Sequence, residues 1–429
     1  MSQTRQDWLQ KHAITHIECL IPDLNGLPRG KLVPVSHYPN NGLLRFPQVS
    51  LLQTLMGDPQ QQLVPECDPD MVLQPDDRSL ALKPGNGRNI AQLIHDCHYE
   101  DGRMVPFAPR SVLQHVLQQY RQAGLHPQVA PEIEFYLLNS DGLQTETTGP
   151  AYSLDHAQRH EGFFAQLEQH CHLQGIATDT LLHEVGNGQY ELNLQHGDAL
   201  ALADQVFLLK RTLRTLASEH GMKACFMAKP FSGQAGSAMH IHQSLLDESG
   251  RNVFSRDDGD EHPRFRHYIA GLQQHLPSAM ALMAPNPNSY RRLAANTAAP
   301  INVEWGYDNR SCGLRVPASP PRARRVENRL PGIDCNPYLA LATTLACGLL
   351  GLQAEQPATP PLQGSAYDKQ AALPQDLAVA LDMLDSNQPL QQVLGSEFVG
   401  QFIAIKRLEL ADFQQQITAW ERNYLLEQA

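Results

Sequence analysis

The chain has 429 residues, 42% hydrophobic and 18% charged. That is the balance of a globular protein long enough to bury a core without disulfide or metal staples, and it excludes a disordered chain. The formal charge of −12 argues against a nucleic-acid partner, whose affinity rests on lysine and arginine at phosphates. It leaves small anionic substrates open, because those feel only the local field.

At about 150 residues per domain, the length suggests two or three domains. The eight cysteines form no CxxC pair, poor material for a zinc site or a secreted disulfide framework. MSQTRQDWLQKHAITH lacks the apolar stretch of a signal peptide. The longest apolar stretch, near Tyr338 to Leu352, is short of the roughly 20 residues of a membrane span. A protein of the reducing cytoplasm is expected, with no membrane and no nucleic-acid partner.

In chain order, residues 1 to about 105 carry turn signals at Pro22-Asp23, Asn25-Gly26, Asn40-Asn41-Gly42 and Lys83-Pro84-Gly85, with short apolar runs between them. This predicts a small strand-rich domain. Val112, Leu113, Val116, Leu117 and Tyr120 then fall at helical spacing ahead of Gly124. VAPEIEFYLL reads as a strand, Ala201 to His220 as a second amphipathic helix, and 224–245 and 299–330 as strands with loops. Asn336-Pro337 opens a buried helix over 336–352, and about 374–427 is mainly helical. Ser255 to Glu261 reads as a solvated acidic loop. The expected class is α+β, with domains at 1–105 and 106–429.

The strands carry chemistry. Glu132 and Glu134 are two apart and share a strand face. Isolated, such a pair is mostly a solvated edge, but HEVGNGQYELN supplies a second pair. With Asn187-Gly188 as a two-residue hairpin turn, Glu184 would face Glu191 directly, and like charges so placed repel unless a cation lies between them. His240 and His242, in AGSAMHIHQS, again share a face, beside small residues that let backbone approach a ligand. Arg325, Glu327 and Arg329 alternate likewise. Five carboxylates and an imidazole suit Mg²⁺ or Mn²⁺ rather than a closed zinc site, and such ions commonly serve phosphoryl transfer. From Arg291 to Arg329 there are eight arginines and no lysine against three acids, which fits bidentate clamping of phosphate or carboxylate. No P-loop and no kinase-type motif set is present.

In order along the chain, APEIEF, HEV…GQYE, KPFSGQAGSAMHIHQS (Lys229 to Ser244), NSYRRL, DNRSCGLRVP and ARRVENR resemble the motifs of the glutamine synthetase family, from about residue 15 to the C-terminal helix. The resemblance implies a small N-terminal β-grasp domain beside a catalytic domain with a curved antiparallel sheet. It also implies a homo-oligomeric double ring with active sites between subunits. The implied reaction activates the glutamate side-chain carboxylate with ATP as γ-glutamyl phosphate, which an amine then attacks. Carried over by motif, Glu134, Glu184 and Glu191 would hold one metal, and Glu132, His240 and Glu327 a second. His242, Ser244, Arg315, Arg322 and Arg325 fall on the nucleotide side, with Arg322 where the family usually has lysine. Gly236, Arg292 and Arg329 fall on the glutamate side, and Arg310 matches the arginine that stabilises charge during transfer.

The departures concern ammonium. The family's acidic latch, Asp-Gly-Ser-Ser, has no counterpart near RFPQVSLLQTLMGD. Its flap glutamate, in Tyr-Glu-Ala-Pro, is replaced by Ala298 in Thr297-Ala298-Ala299-Pro300, and an asparagine that helps hold glutamate is replaced by Ala235. DLNGLPRGK (Asp23 to Lys31), Trp305-Gly306 and ITAWERNYLLEQ resemble the γ-glutamylpolyamine and γ-glutamylputrescine synthetase branch. A glutamate–amine ligase is therefore expected, with putrescine or another polyamine as the amine. Ala298 and Glu304 would border the amine pocket, Glu304 either receiving a distal ammonium or bracing an arginine. Glutamine synthetase itself, a silent nucleotide- or amine-binding paralogue and a guanidino kinase are the alternatives.

Overall fold

The computed structural model describes residues 3–39, 41–85, 89–143 and 149–428. In the first hundred residues the apolar runs become a small mixed sheet. Its order is Pro28–Pro34, His16–Pro22, Ile90–His98, Asp70–Pro75, Leu44–Pro47, with Ala81–Leu82 also on Ile90–His98. His16–Pro22 and Ile90–His98 run parallel at its centre.

Leu125–Asn139 is the spine of the second sheet, which has nine strands among the described residues. On one side it pairs with Met239–Asp247, followed by Val326–Asn328, Leu314–Val316 and Trp305–Tyr307. On the other it pairs with Gln189–Leu194 and then Thr178–His183. Pairing is antiparallel except at the outermost strand, where Trp305–Tyr307 runs parallel to Leu314–Val316. The intervening loop, turning at Asp308 (φ 46°), carries the chain back to the start of its neighbour.

Strand alternation sorts the side chains. Ile133, Leu192, Ile241 and Val326 are buried on the face covered by the helices Pro109–Gln122 and Ala199–Glu219. The helices Pro263–Met283 and Pro337–Ala354 pack on each other behind these. The glutamates and histidines of the motifs take the opposite face. Pro337–Ala354 is long and apolar enough to cross a membrane, but 78% of it is buried inside the fold. Asn336 begins it, its side chain accepting from Tyr338 N at 3.0 Å. The same amide donates to the carbonyls of Asp23 and Leu24 at 3.0 and 3.2 Å, so the cap also docks the N-terminal sheet. The C-terminal region forms Leu377–Ser386, Gln388–Leu394, Ser396–Gln415 and Ala419–Leu425.

Candidate active site

The register of the large sheet assembles the motifs. Glu132 lies opposite His240, Glu134 opposite Glu191, and Glu327 opposite both His242 and Arg315. The expected hairpin register does not hold. His183 pairs with Tyr190 and Leu182 with Glu191, and Glu184 N donates to Gln189 O. Gly186, Asn187 and Gly188 lie in a wider loop closed by Gln189 N donating to Gly186 O. Glu184 therefore sits diagonal to Glu191 rather than opposite it. A shift of two residues keeps both on one face, where a shift of one would have separated them.

His240 Nδ1 faces three carboxylates at once: Glu132 at 3.0 Å, Glu327 at 3.8 Å and Glu134 at 3.9 Å. Ligand atoms of Glu132, Glu191 and His240 lie within 4.8 Å of one another, as do those of Glu132, His242 and Glu327. Glu132 belongs to both groups, whereas Glu134 and Glu184 stand outside them, the Glu184 carboxylate accepting from Val185 N at 3.0 Å. Arg325 Nε can only donate, and it meets His242 Nδ1 at 3.2 Å. His242 therefore carries its proton on Nε2 and donates to Glu132 Oε1 at 2.9 Å. His240 Nδ1 meets Glu132 Oε2 at 3.0 Å, so both imidazoles are hydrogen-bonded to the same carboxylate.

Charge divides the carboxylates. Burial would raise Glu132, but hydrogen bonds from His240 and His242 hold it far below the usual range. Glu327, almost fully buried, is likewise raised by burial and lowered further by Arg329 and the two histidines. It accepts from Arg329 at 2.6 Å and Arg315 at 2.8 Å. Glu184 and Glu191 have no such cations. Burial, followed by the charges of neighbouring glutamates, pushes them up to about 7 and about 9.

The loop from Lys229 to Ala238 closes one end of this face. Asn288 clamps Lys229 through both its N–H (3.0 Å) and its carbonyl (2.9 Å), and Tyr136 OH donates to Ala235 O at 2.8 Å. A Cβ on Gly236 would lie 2.7 Å from Arg292 Cγ and 2.8 Å from Ala228 O, so close packing keeps glycine there. Gln189 joins the loop to the carboxylates: its amide donates to Gly236 O, Ser237 Oγ and Glu134 Oε2 at 3.0, 3.1 and 3.4 Å. Ala238 N donates to Glu134 Oε2 at 2.7 Å. Arg292 is buried and gives two donors to Leu330 O and Arg329 O, bracing the strand end that carries Arg329.

Ser244 follows His242 on the same strand face. Arg322 is exposed in the turn Pro321–Ala323. Arg310 is exposed and makes no hydrogen bond or ion pair among the described residues. Ala298 is exposed at φ 60°, its carbonyl held by Arg329 at 3.4 Å and that of Ala299 by Tyr367 OH at 3.1 Å. Glu304 forms no ion pair among the described residues, so it braces no arginine. The buried Cys312 thiol is raised by burial and feels both the Glu304 carboxylate and Arg329, which puts Glu304 toward this end of the face.

Gln189, Tyr152 and Tyr367 were not anticipated. Tyr152, exposed at φ 62°, feels the charges of Glu184, Arg310, Glu191 and Glu134. A bulky residue in left-handed backbone is rare enough to mark a site, but the conformation is invisible in sequence.

A crowded set of hard oxygen donors with two imidazoles beside it, two of its carboxyls driven up by burial and by neighbouring carboxylates, fits divalent cations. With the arginines beside it, this face has the charges to meet phosphate and carboxylate groups together.

The chain belongs to the glutamine synthetase family, residues 106–425 matching "Glutamine synthetase, catalytic domain", and is a carbon–nitrogen ligase whose family uses ATP and divalent metals. It is 34% identical to the gamma-glutamylputrescine synthetase of Escherichia coli (strain K12), over 100% of this chain and 95% of that protein. It is 31% identical to the glutamate–isopropylamine ligase of a Pseudomonas species, over 97% and 96%. A solved structure titled "GmaS/ADP complex-Conformation 1" superposes with a TM-score of 0.88 at 30% identity, covering 98% of this chain and 99% of that one.

Proposed function

We propose that this ligase joins the γ-carboxylate of glutamate to an alkyl di- or polyamine such as putrescine, with ATP activating the carboxylate as γ-glutamyl phosphate and ADP and phosphate released. The observation that carries this reading is the loop at Ala298. There a small apolar residue replaces the family's flap acid, while Glu304 nearby forms no ion pair among the described residues. Loss of the acid removes a ligand for ammonium and leaves room for a carbon chain, whose burial contributes about 0.8 kcal/mol per CH₂. The unpaired Glu304 suits a distal ammonium. The names of the two relatives above support an amine larger than ammonia.

In this reading Glu134, Glu184 and Glu191 would hold one Mg²⁺ or Mn²⁺, and Glu132, His240 and Glu327 another. Bound there, the ions would neutralise charge on phosphate and carboxylate oxygens. His242, Ser244, Arg315, Arg322 and Arg325 take the nucleotide side. Gly236, Arg292 and Arg329 take glutamate. Arg310, without a hydrogen bond or ion pair among the described residues, would meet the transferring phosphoryl group.

We further assign residues 1–105 and 106–429 as two domains, in a ring-shaped homo-oligomer whose sites lie between subunits. Exposed Ile417, Trp420 and Leu426 are surface that a second subunit would cover. Eight free cysteines suit a reducing cytoplasm.

The test is ADP release with glutamate, ATP and Mg²⁺ across ammonium, ethylamine, ethanolamine, putrescine, spermidine and spermine. The expected result is much higher kcat/KM for a diamine or polyamine than for ammonium. A preference for ammonium would make the protein a glutamine synthetase, and equal efficiency for every amine would remove the polyamine assignment.

A further inference from the structure

A cavity of about 470 Å³ lies on the helix side of the large sheet, away from the carboxylate face, between the N-terminal sheet and the helix Ala199–Glu219. One part of its wall is apolar: Trp8, Leu80, Leu82, Leu173, Leu200 and Leu208. The other part is acidic. Asp76, Asp198 and Asp204 line it with Arg78 and Arg110, and Asp96 stands directly behind Arg110.

The two arginines at this end are already used, and the lining also holds His12 and His172. Arg110 gives Nε and Nη2 to Asp204 at 3.0 and 2.9 Å, Nη2 also to Asp76 at 2.6 Å, and Nη1 to Asp96. Arg78 lies on Asp76 at 2.9 and 2.7 Å. Two acceptors remain. Asp198 spends Oδ1 on the helix cap, accepting from Leu200 N at 3.1 Å and Ala201 N at 3.0 Å, and its carboxylate makes no ion pair among the described residues. Gln205 Oε1 is buried with no hydrogen-bond partner. An exposed carboxylate without an ion pair among the described residues, a buried amide oxygen without a partner and a hydrocarbon wall around one half-open volume fit a ligand with a cationic donor head and an apolar chain.

We propose that this cavity binds an alkylammonium ion, its head between Asp198 and Gln205 and its chain along Leu80, Leu82 and Leu208 beside Trp8. The ligand class follows from the cavity alone. Its role rests on the proposed function: there the alkylamine is also the substrate, and its binding at the junction would let amine concentration tune the enzyme from outside the carboxylate face.

Trp8 reports on the site. Tryptophan emission of the full chain is titrated with butylamine, pentylamine and, as a neutral control, 1-butanol, without ATP or glutamate. Wild type, Trp8→Phe, Asp198→Asn and Ala201→Phe are compared. Asparagine still caps the helix, so Asp198→Asn removes charge and not fold. The expected result is a saturable response to butylamine that disappears in Trp8→Phe and in Ala201→Phe, which fills the cavity. Affinity should be about tenfold weaker in Asp198→Asn and about fourfold tighter for pentylamine. No Trp8-dependent response, an equal response to 1-butanol, or unchanged affinity in Asp198→Asn would overturn the site. ADP release in parallel keeps the two readings apart. Binding without ligation of any amine would leave the cavity standing and remove the ligase reading, and ligation without the response would do the reverse.

Discussion

Two clusters of buried carboxylates lie on opposite sides of the large sheet and are completed differently. On the helix side, Asp76, Asp96 and Asp204 surround Arg110, whose side chain is 3% exposed, and Tyr338 OH adds a donor to Asp204 at 2.7 Å. Burial would raise Asp76, but hydrogen bonds from Arg78 and Arg110 hold it well below the usual carboxylate range. On the other side burial and then the charges of neighbouring glutamates raise Glu184 and Glu191, and neither forms an ion pair among the described residues. A carboxylate cluster whose acceptors meet internal donors holds elements together. One that repels itself at that burial needs a ligand from outside.

The largest effects should separate the two. Glu134→Ala and Glu191→Gln should each lower turnover by roughly a thousandfold or more, because phosphate charge then goes uncompensated. Arg110→Met should instead cost about 3–5 kcal/mol of stability, since three carboxylates lose their partner. Glu191→Gln should stabilise the protein when divalent cations are chelated, by removing a carboxyl that burial and neighbouring glutamates make costly to ionise. Mg²⁺ or Mn²⁺ should raise the melting temperature of wild type by mass action, equivalent to about 2.7 kcal/mol at one hundred times Kd, and much less in Glu191→Gln. Arg110→Met should keep the full cation response from a lower starting temperature. Melting curves with and without cation decide it: a cation response lost in Arg110→Met and kept in Glu191→Gln would invert the comparison.

Acid titration sharpens the same contrast. A carboxyl depressed in the folded state contributes stability that is full above its unfolded pKa, about 3.9, and is lost as pH falls through the folded value. Asp76→Asn should therefore destabilise the protein at pH 7, by denaturant unfolding, and the difference from wild type should begin to close below about pH 4. A difference that stays constant across that range would mean that Asp76 acts through packing and not through its charge.

How much of this was legible follows from range. The pairs Glu132/Glu134 and His240/His242 announce a shared face because alternation is local, and a register error of two residues could not disturb it. The hairpin itself was misread because Asn187-Gly188 does not act alone. Gly186 N donates to Gln189 Oε1 and a Cβ there would strike Tyr136 Oη at 2.0 Å, so tertiary packing sets the loop. The 21-residue helix Pro263–Met283 carries Pro277 inside it, a residue that argues against a helix at that position. The arginine run reads as one cationic patch, yet Arg324 spends its donors on the carbonyls of Phe254, Gly259 and Asp260. The Arg110 centre was unreadable, since its partners lie 14, 34 and 94 positions away and no local pattern marks them.

The smallest effect concerns the loop that borders the proposed amine pocket. Asn296 and Ala298 both occupy left-handed backbone, φ 61° and 60°, which costs an alanine about 1–2 kcal/mol. Two external ties hold that conformation, Arg329 to Ala298 O and Tyr367 OH to Ala299 O. Tyr367→Phe removes one neutral hydrogen bond, about 1 kcal/mol, and none of the charged groups proposed to bind phosphate. It should raise KM for the amine about fivefold while leaving kcat and the KM for ATP nearly unchanged, the pattern of lost uniform binding. Ala298→Gly relaxes the same strain and should leave activity within a few-fold of wild type, whereas Ala298→Glu should depress the diamine reaction by crowding the pocket. If Tyr367→Phe changes kcat and not the amine KM, the loop acts in the chemical step and not in holding the amine, and Ala298 loses its place in the pocket.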